Sequence, residues 1–115
     1  MKDAYGTIHY HDQDYKIVFN LNVMEEIQNK YGTIQKWGAL TDRSKGEVNA
    51  AALKFGITAM LNEGIDIDNE TLDEKRPFFT EKQVGRMIYE IGVEEAVRRM
   101  NQTVIDSAGS TEKNA

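Results

Sequence analysis

The chain has 115 residues, enough for one domain with a modest core, and its hydrophobic (40%) and charged (29%) fractions are ordinary for a soluble globular protein. It has no cysteine, which excludes disulfides, thiolate zinc sites and cysteine nucleophiles, and no apolar run approaches the ~20 residues of a membrane-spanning helix. Its net charge of −5 argues against nucleic-acid binding, because duplex-binding surfaces concentrate Lys and Arg, so we expect an acidic cytoplasmic domain.

The N-terminal sequence is typical of a β-hairpin. Residues 6–10 and 15–19 are short runs rich in aromatic and β-branched side chains. The four polar residues between them predict a four-residue turn that pairs Tyr10 with Tyr15. Because side chains alternate along a strand, one face then collects the apolar residues Ile8, Tyr10, Tyr15, Ile17 and Phe19. Such a hairpin must pack on another layer, since an isolated hairpin is marginally stable.

Two helices are predicted directly after the hairpin. Asn22 and Glu25 have the spacing of a capping box at the start of the first helix. Gly32 is a C-terminal stop signal, because glycine readily adopts the left-handed conformation found there. Thr33 is then placed to cap a short second helix that contains Trp37.

A third helix is predicted over about residues 47–62, with Gly64 as its stop. Its sequence is apolar on nearly all sides, which predicts a helix buried centrally in the domain or against a partner. Residues 63–74 contain six acidic side chains and no basic one, so we expect a solvated connection there.

The C-terminal part predicts two more helices. Thr80 and Gln83 form a capping box at the start of the fourth helix. The phase of the apolar residues changes at Gly92, which predicts a bend and a fifth helix that ends near residues 108–109.

These elements together predict an α+β domain over residues 1–109. Its two-stranded antiparallel hairpin packs on four or five helices. Residues 110–115 are expected to form a disordered tail.

Residues suited to catalysis or metal binding are sparse. His9 and His11 could share a strand face, but the predicted pairing separates them and no third metal ligand is marked. Residues 66–70 begin like a calcium loop, yet Thr71 and Pro77 replace its turn glycine and bidentate glutamate. Nucleophile elbows, phosphate loops and dinucleotide motifs do not occur. We therefore expect no enzyme, no cofactor and no metal site.

Apolar residues are the main candidates for function. Methionine side chains adapt to irregular apolar partners, and a helix lying in a groove is recognised through such residues. For any single residue, a place in the core is the simpler interpretation. As a set, they favour a partner-binding groove or weak self-association. The candidates are Phe55, Met60, Phe78, Phe79, Met87 and Met100.

Three motifs occur in an informative order over residues 13–106. The hairpin runs into a helix that contains Glu25-Glu26 and ends in Tyr31-Gly32. An apolar helix then ends in Met60-Leu61-Asn62-Glu63-Gly64, and Phe79-Thr80-Glu81-Lys82-Gln83-Val84 opens another. This order resembles tail assembly chaperones of phages and prophages of Gram-positive bacteria, whose helix start reads Leu-Thr-x-Glu-x-Val. Gln83 departs from the acid that the family often has there.

The resemblance implies a non-enzymatic protein that binds the tape measure protein in the host cytoplasm. It would keep that long helical protein soluble while the tail tube polymerises, and be absent from the virion. A longer frameshifted form would recruit the tail tube protein. Two other interpretations stay open: a virion structural protein, such as a head–tail joining or tail-terminator subunit, and an acidic regulatory adaptor.

Overall fold

The computed structural model describes residues 5–113, with side chains to residue 108. Within this range an antiparallel hairpin is followed by five α-helices, so the predicted α+β class is confirmed. A 3-10 turn at Arg43–Lys45 precedes the third helix. No helix in the described range is both long and apolar enough to cross a membrane. The elements are β1 (Tyr5–Tyr10), β2 (Gln13–Val18), α1 (Leu21–Tyr31), α2 (Ile34–Leu40), α3 (Ala50–Asn69), α4 (Glu81–Ile91) and α5 (Val93–Lys113).

The hairpin turns over two residues, so the predicted four-residue turn is wrong. His11 and Asp12 have φ of 50° and 61°, the left-handed conformation that a tight two-residue turn requires. Tyr10 consequently pairs with Gln13 and not with Tyr15. Because this register differs from the predicted one by an even number of residues, every side chain keeps its predicted face. The buried members of the apolar face are Ile8, Ile17 and Phe19.

α1 begins earlier than predicted. Asn20 is its N-cap, since the Asn20 side chain accepts a hydrogen bond of 3.2 Å from the Val23 N–H. Asn22, the predicted cap, instead donates from its side chain to Glu63 at 3.1 Å. The predicted stop at Gly32, which has a φ of 93°, is confirmed.

The other predicted caps are confirmed. Thr33 caps α2, and the side chains of Thr80 and Gln83 form the capping box of α4. Gly92, with a φ of 102°, separates α4 from α5. The backbone of α5 is described as helix to Lys113, past its predicted end. The side chains of the predicted tail lie outside the described residues.

α3 is the central helix, and its predicted end at Gly64 is wrong. Gly64 is buried within the helix, where a Cβ atom would lie 2.8 Å from the Lys16 carbonyl oxygen of β2. Glycine is required there because it lets the strand backbone lie directly on the helix. Residues 63–69, predicted as part of a solvated connection, form the last two turns of α3.

The remaining elements close the core around α3. Trp37 of α2 packs over Gly56, and its indole N–H donates to the Ala52 carbonyl oxygen at 3.0 Å. On the other side, α5 packs on β1, where Thr103 lies beneath Gly6. α4 packs on α3 through buried Val84, Met87 and Ile88. The hairpin is therefore held between α3 and α5, and α4 and the chain before it are left at the surface.

Gly64→Ala should destabilise the domain by about 1–3 kcal/mol, because the added methyl group forces α3 and β2 apart. This loss outweighs the better helix propensity of alanine. The measurement is urea denaturation followed by circular dichroism. Gly38→Ala in α2 is the matched control, since its Cβ would meet nothing within 4 Å. Equal stability of Gly64→Ala and wild type would contradict the close packing.

Candidate functional site

The structure separates the six residues predicted to bind a partner. Met60, Met87 and Met100 are 0%, 1% and 0% exposed, and they belong to the core between α3, α4 and α5. A partner that docks on the folded domain cannot touch them, so the structure places them in the core and not on a docking surface. This agrees with the simpler interpretation of each residue taken singly, a place in the core.

The three phenylalanines lie nearer the surface. Phe55 is half-buried, with the Tyr31 ring edge-on at 5.8 Å and the Lys30 ammonium 5.1 Å from its centroid. Phe79 is half-buried against the Tyr15 ring, which is also edge-on, at 5.4 Å. Phe78 is 54% exposed. Of the six candidates, Phe78 therefore offers the most surface to a partner.

Two asparagines of α3 hold the segment that carries Phe78. Asn62 donates to the Phe79 carbonyl oxygen at 3.0 Å and accepts from the Phe79 N–H at 2.8 Å. Asn69 makes the same pair of bonds with Arg76, at 3.0 and 2.9 Å. The two asparagines are about two helical turns apart, on the same side of α3. Residues 76–79 are thus fixed at both ends along the helix, and Phe78 is presented from between the two anchors.

A cleft lies between this segment and the hairpin. It has a volume of about 320 Å³, with apolar walls and a few polar groups at its edge. That volume is at the low end for ligand pockets and suits one or two apolar side chains of a protein partner. We call it the Phe78 cleft; its apolar walls are Tyr15, Ile65, Pro77, Phe78 and Phe79.

A second apolar surface lies between α3 and α4, on residues that the sequence did not single out. This hollow of about 290 Å³ includes Tyr89 and Val93, which are 88% and 40% exposed. Tyr89 falls outside the apolar stripe of α4, and this position in the sequence pattern is the signal that could have indicated its exposure. We call this hollow the α3–α4 groove. It is lined by Val48, Ala50, Leu53, Lys54, Gly85, Ile88, Tyr89 and Val93.

The acidic pair of the resemblance lies on α1, and Glu26 has an altered titration. Its pKa is raised above the ordinary 4.5, first by partial loss of solvent and then by repulsion from Glu63 and Glu25. Glu63 accepts hydrogen bonds from the side chains of Asn20 at 2.7 Å and Asn22 at 3.1 Å. These bonds hold Glu63, which belongs to α3, near α1. Negative charge is therefore concentrated where α1 and α3 meet.

Both histidines bond to carboxylates. His9 Nδ1 lies 2.8 Å from Asp14 Oδ1, and His11 Nε2 lies 2.6 Å from Glu90 Oε2. In the described part of the chain, no three His, Asp or Glu side chains are grouped closely enough to hold a metal ion. Residues 66–69, the start of the calcium-like sequence, are helical.

Comparisons of the chain with protein-family models, curated proteins and solved structures find no match.

Asn62→Ala should speed the hydrogen exchange of the Phe79 amide, because that N–H loses its acceptor, and lower stability by about 1–3 kcal/mol. Asn69→Ala should act in the same way on the Arg76 amide. Exchange measured residue by residue by NMR tests both variants. Asn101→Ala, at an exposed position of α5, is the control. Unchanged exchange of both amides would show that the anchors do not hold the segment.

Glu26→Gln should stabilise the domain at pH 7. Because the folded-state pKa of Glu26 is raised, its ionised form disfavours folding above that pKa, and the penalty disappears below pH 4.5. The gain of the variant over wild type should therefore shrink as the pH falls through this range. Thermal unfolding measured from about pH 3 to about pH 7, which brackets the ordinary carboxyl pKa values, tests this.

Glu95→Gln is the matched control of opposite sign. Hydrogen bonds from Arg99 and Arg98 lower the pKa of Glu95. This carboxylate contributes stability above pH 4.5 that is lost as the pH falls through its lowered pKa. Glu95→Gln should therefore be less stable than wild type at pH 7. A Glu26→Gln variant that behaves in the same way would contradict the proposed repulsion.

Proposed function

We propose that this protein is a tail assembly chaperone of a phage or prophage of Gram-positive bacteria. In this proposal it is a non-enzymatic cytoplasmic protein that binds the tape measure protein, keeps it soluble during tail tube polymerisation and leaves before the virion is complete. The order of motifs over residues 13–106 supports the family. The observation that carries the binding role is the exposed Phe78, fixed beside an apolar cleft.

The anchoring of Phe78 is what distinguishes it from an ordinary exposed side chain. Single apolar side chains are common on protein surfaces and need no explanation. Phe78, however, lies between Arg76 and Phe79, whose backbone groups exchange four hydrogen bonds with the side chains of Asn62 and Asn69. A partner therefore meets a segment that is already ordered, which lowers the entropic cost of binding.

The size of the Phe78 cleft suits weak, repeated contacts. A cleft for one or two side chains gives little affinity to a single domain, which is compatible with release when tube subunits arrive. Several copies bound along one long amphipathic helix of the tape measure protein would hold the complex together by avidity, because a contact that dissociates re-forms at a high effective concentration. The net charge of −5 would keep such a complex soluble. A longer frameshifted form would then recruit the tail tube protein to the same complex.

Co-expression with the tape measure protein encoded nearby, followed by size-exclusion chromatography with light scattering, tests the proposal. We expect a soluble complex with several copies of this chain per tape measure molecule. An insoluble tape measure protein together with a closed ring of this chain would instead indicate a virion joining protein.

Phe78→Ala should weaken tape measure binding at least tenfold, while its unfolding midpoint stays near that of wild type because the side chain is exposed. Binding is measured by titration of the purified chain on an immobilised tape measure segment. Leu21→Ala is the matched control, since Leu21 is 77% exposed on α1 and lies outside the Phe78 cleft. Equal losses in both variants would remove Phe78 from the binding surface without disproving the chaperone function.

A further inference from the structure

Positive charge is concentrated beside the α3–α4 groove. Lys54, Lys82 and Arg86 line an open hollow of about 690 Å³ that shares Lys54, Gly85 and Tyr89 with the groove. None of these three cations forms an ion pair within the part of the chain that the structure describes. The single carboxylate in this lining, Glu90, lies 2.6 Å from His11 Nε2. The groove therefore has a positive rim, although the protein is acidic.

Several basic side chains elsewhere are neutralised locally. Lys16 and Arg76 both lie against Asp68, at 2.9 and 3.6 Å. Arg98 and Arg99 share Glu95. The rim of the groove differs from these sites because its three cations have no internal carboxylate, which leaves their charge available to a partner.

Gly85 keeps the floor of the groove open. A Cβ atom there would have the flexible Lys54 side chain as its nearest neighbour, at 3.1 Å. Gly56 and Gly64, by contrast, are required by the Trp37 ring and by the β2 backbone. Glycine inside a helix costs about 1 kcal/mol relative to alanine. At position 85 the backbone is not left-handed, and the one neighbour within 4 Å is the movable Lys54 side chain, so the missing side chain leaves the floor of the groove open.

We infer that the α3–α4 groove is a docking site for an amphipathic helix whose apolar stripe is flanked by acidic side chains. The apolar walls would receive the stripe, and Lys54, Lys82 and Arg86 would face the carboxylates. Charge complementarity selects this occupant over a basic or neutral helix. The groove shares no lining residue with the Phe78 cleft, so this inference does not depend on the proposed tape measure binding.

Two synthetic helices provide the probe. Both are fluorescein-labelled peptides of about 18 residues, or five turns, with the same leucine stripe. One carries Glu and the other Lys at the flanking positions. Fluorescence anisotropy with the full chain should give at least tenfold tighter binding of the Glu peptide. The preference should shrink as salt is raised from about 0.05 to 0.5 M, because salt screens exposed charges. Equal affinities for the two peptides would overturn the inference.

Variants then locate the site. Lys82→Glu/Arg86→Glu should abolish the preference, whereas Lys36→Glu/Lys45→Glu, with the same change in net charge at exposed positions, should keep it. Gly85→Leu should weaken binding of the Glu peptide tenfold by filling the floor without changing the charge. Circular dichroism confirms that each variant is folded. A preference that survives both groove variants would place the peptide elsewhere and overturn the inference.

Three further measurements separate other occupants from the acidic helix. Phe78→Ala should leave the affinity for the Glu peptide unchanged, and a tenfold loss would assign binding to the Phe78 cleft instead. A single-stranded thymidine oligonucleotide that binds more tightly than the Glu peptide, and is lost in Lys82→Glu/Arg86→Glu, would make the groove a nucleic-acid site. Light scattering that shows oligomers of the free chain, dissociated by the groove variants, would make the occupant a second copy.

Discussion

The direct contact between β2 and α3 is the constraint on which the rest of the structure depends. At Gly64 the helix has no side chain, and the strand backbone lies on it so closely that a methyl group would overlap the Lys16 carbonyl oxygen. The Lys16 ammonium then reaches Asp68 at 2.9 Å, one turn further along α3. This packing fixes the hairpin on one side of α3. The other sides of the helix are consequently free to organise α2, α4 and the chain that leads to α4.

The polar residues of α3 position the two candidate surfaces. Several polar side chains of α3 are half-buried, and a buried polar group that lacks a hydrogen-bond partner is costly. Asn62 and Asn69 satisfy theirs with the backbone on either side of Phe78, which creates the Phe78 cleft. Lys54 is half-buried at the rim of the α3–α4 groove and lies beside Gly85. One central helix therefore sets both the shape of the cleft and part of the charge of the groove.

Local signals in the sequence were sufficient for the elements and for most helix ends. The caps at Thr33 and Thr80 and the stop at Gly32 depend on neighbouring residues alone, and they are confirmed. The faces of the hairpin are also as predicted although the turn is shorter, because the observed register differs from the predicted one by an even number of residues. Gly64 was misread since a glycine that ends a helix and one that admits a strand look the same in sequence.

The binding surfaces could be predicted only in part. Phe78 stood out as one of two adjacent aromatic residues before a helix, and it is exposed. The three methionines were candidates as well, but they are buried, because exposure depends on which elements pack together in the fold. The rim of the groove combines Lys54 of α3 with Lys82 and Arg86 of α4. Whether these cations form ion pairs with carboxylates depends on residues that are distant in the chain. A cluster of this kind becomes visible once the two helices are packed together.

A domain of this size has limited apolar surface to spare, since it buries only about two-thirds of its chain surface on folding. Exposed Phe78 and an open groove therefore reduce the stabilisation that the same residues could give if buried. α3 compensates, because it buries side chains against the hairpin, α1, α2 and α4 at once. This concentration of the core on one helix leaves the segment before α4, and the outer side of α4, free to hold apolar groups in solvent. Gly85 shows the same balance at a single residue. A side chain there would favour the helix and fill the groove, so the stability of α4 and the openness of its surface are in direct opposition.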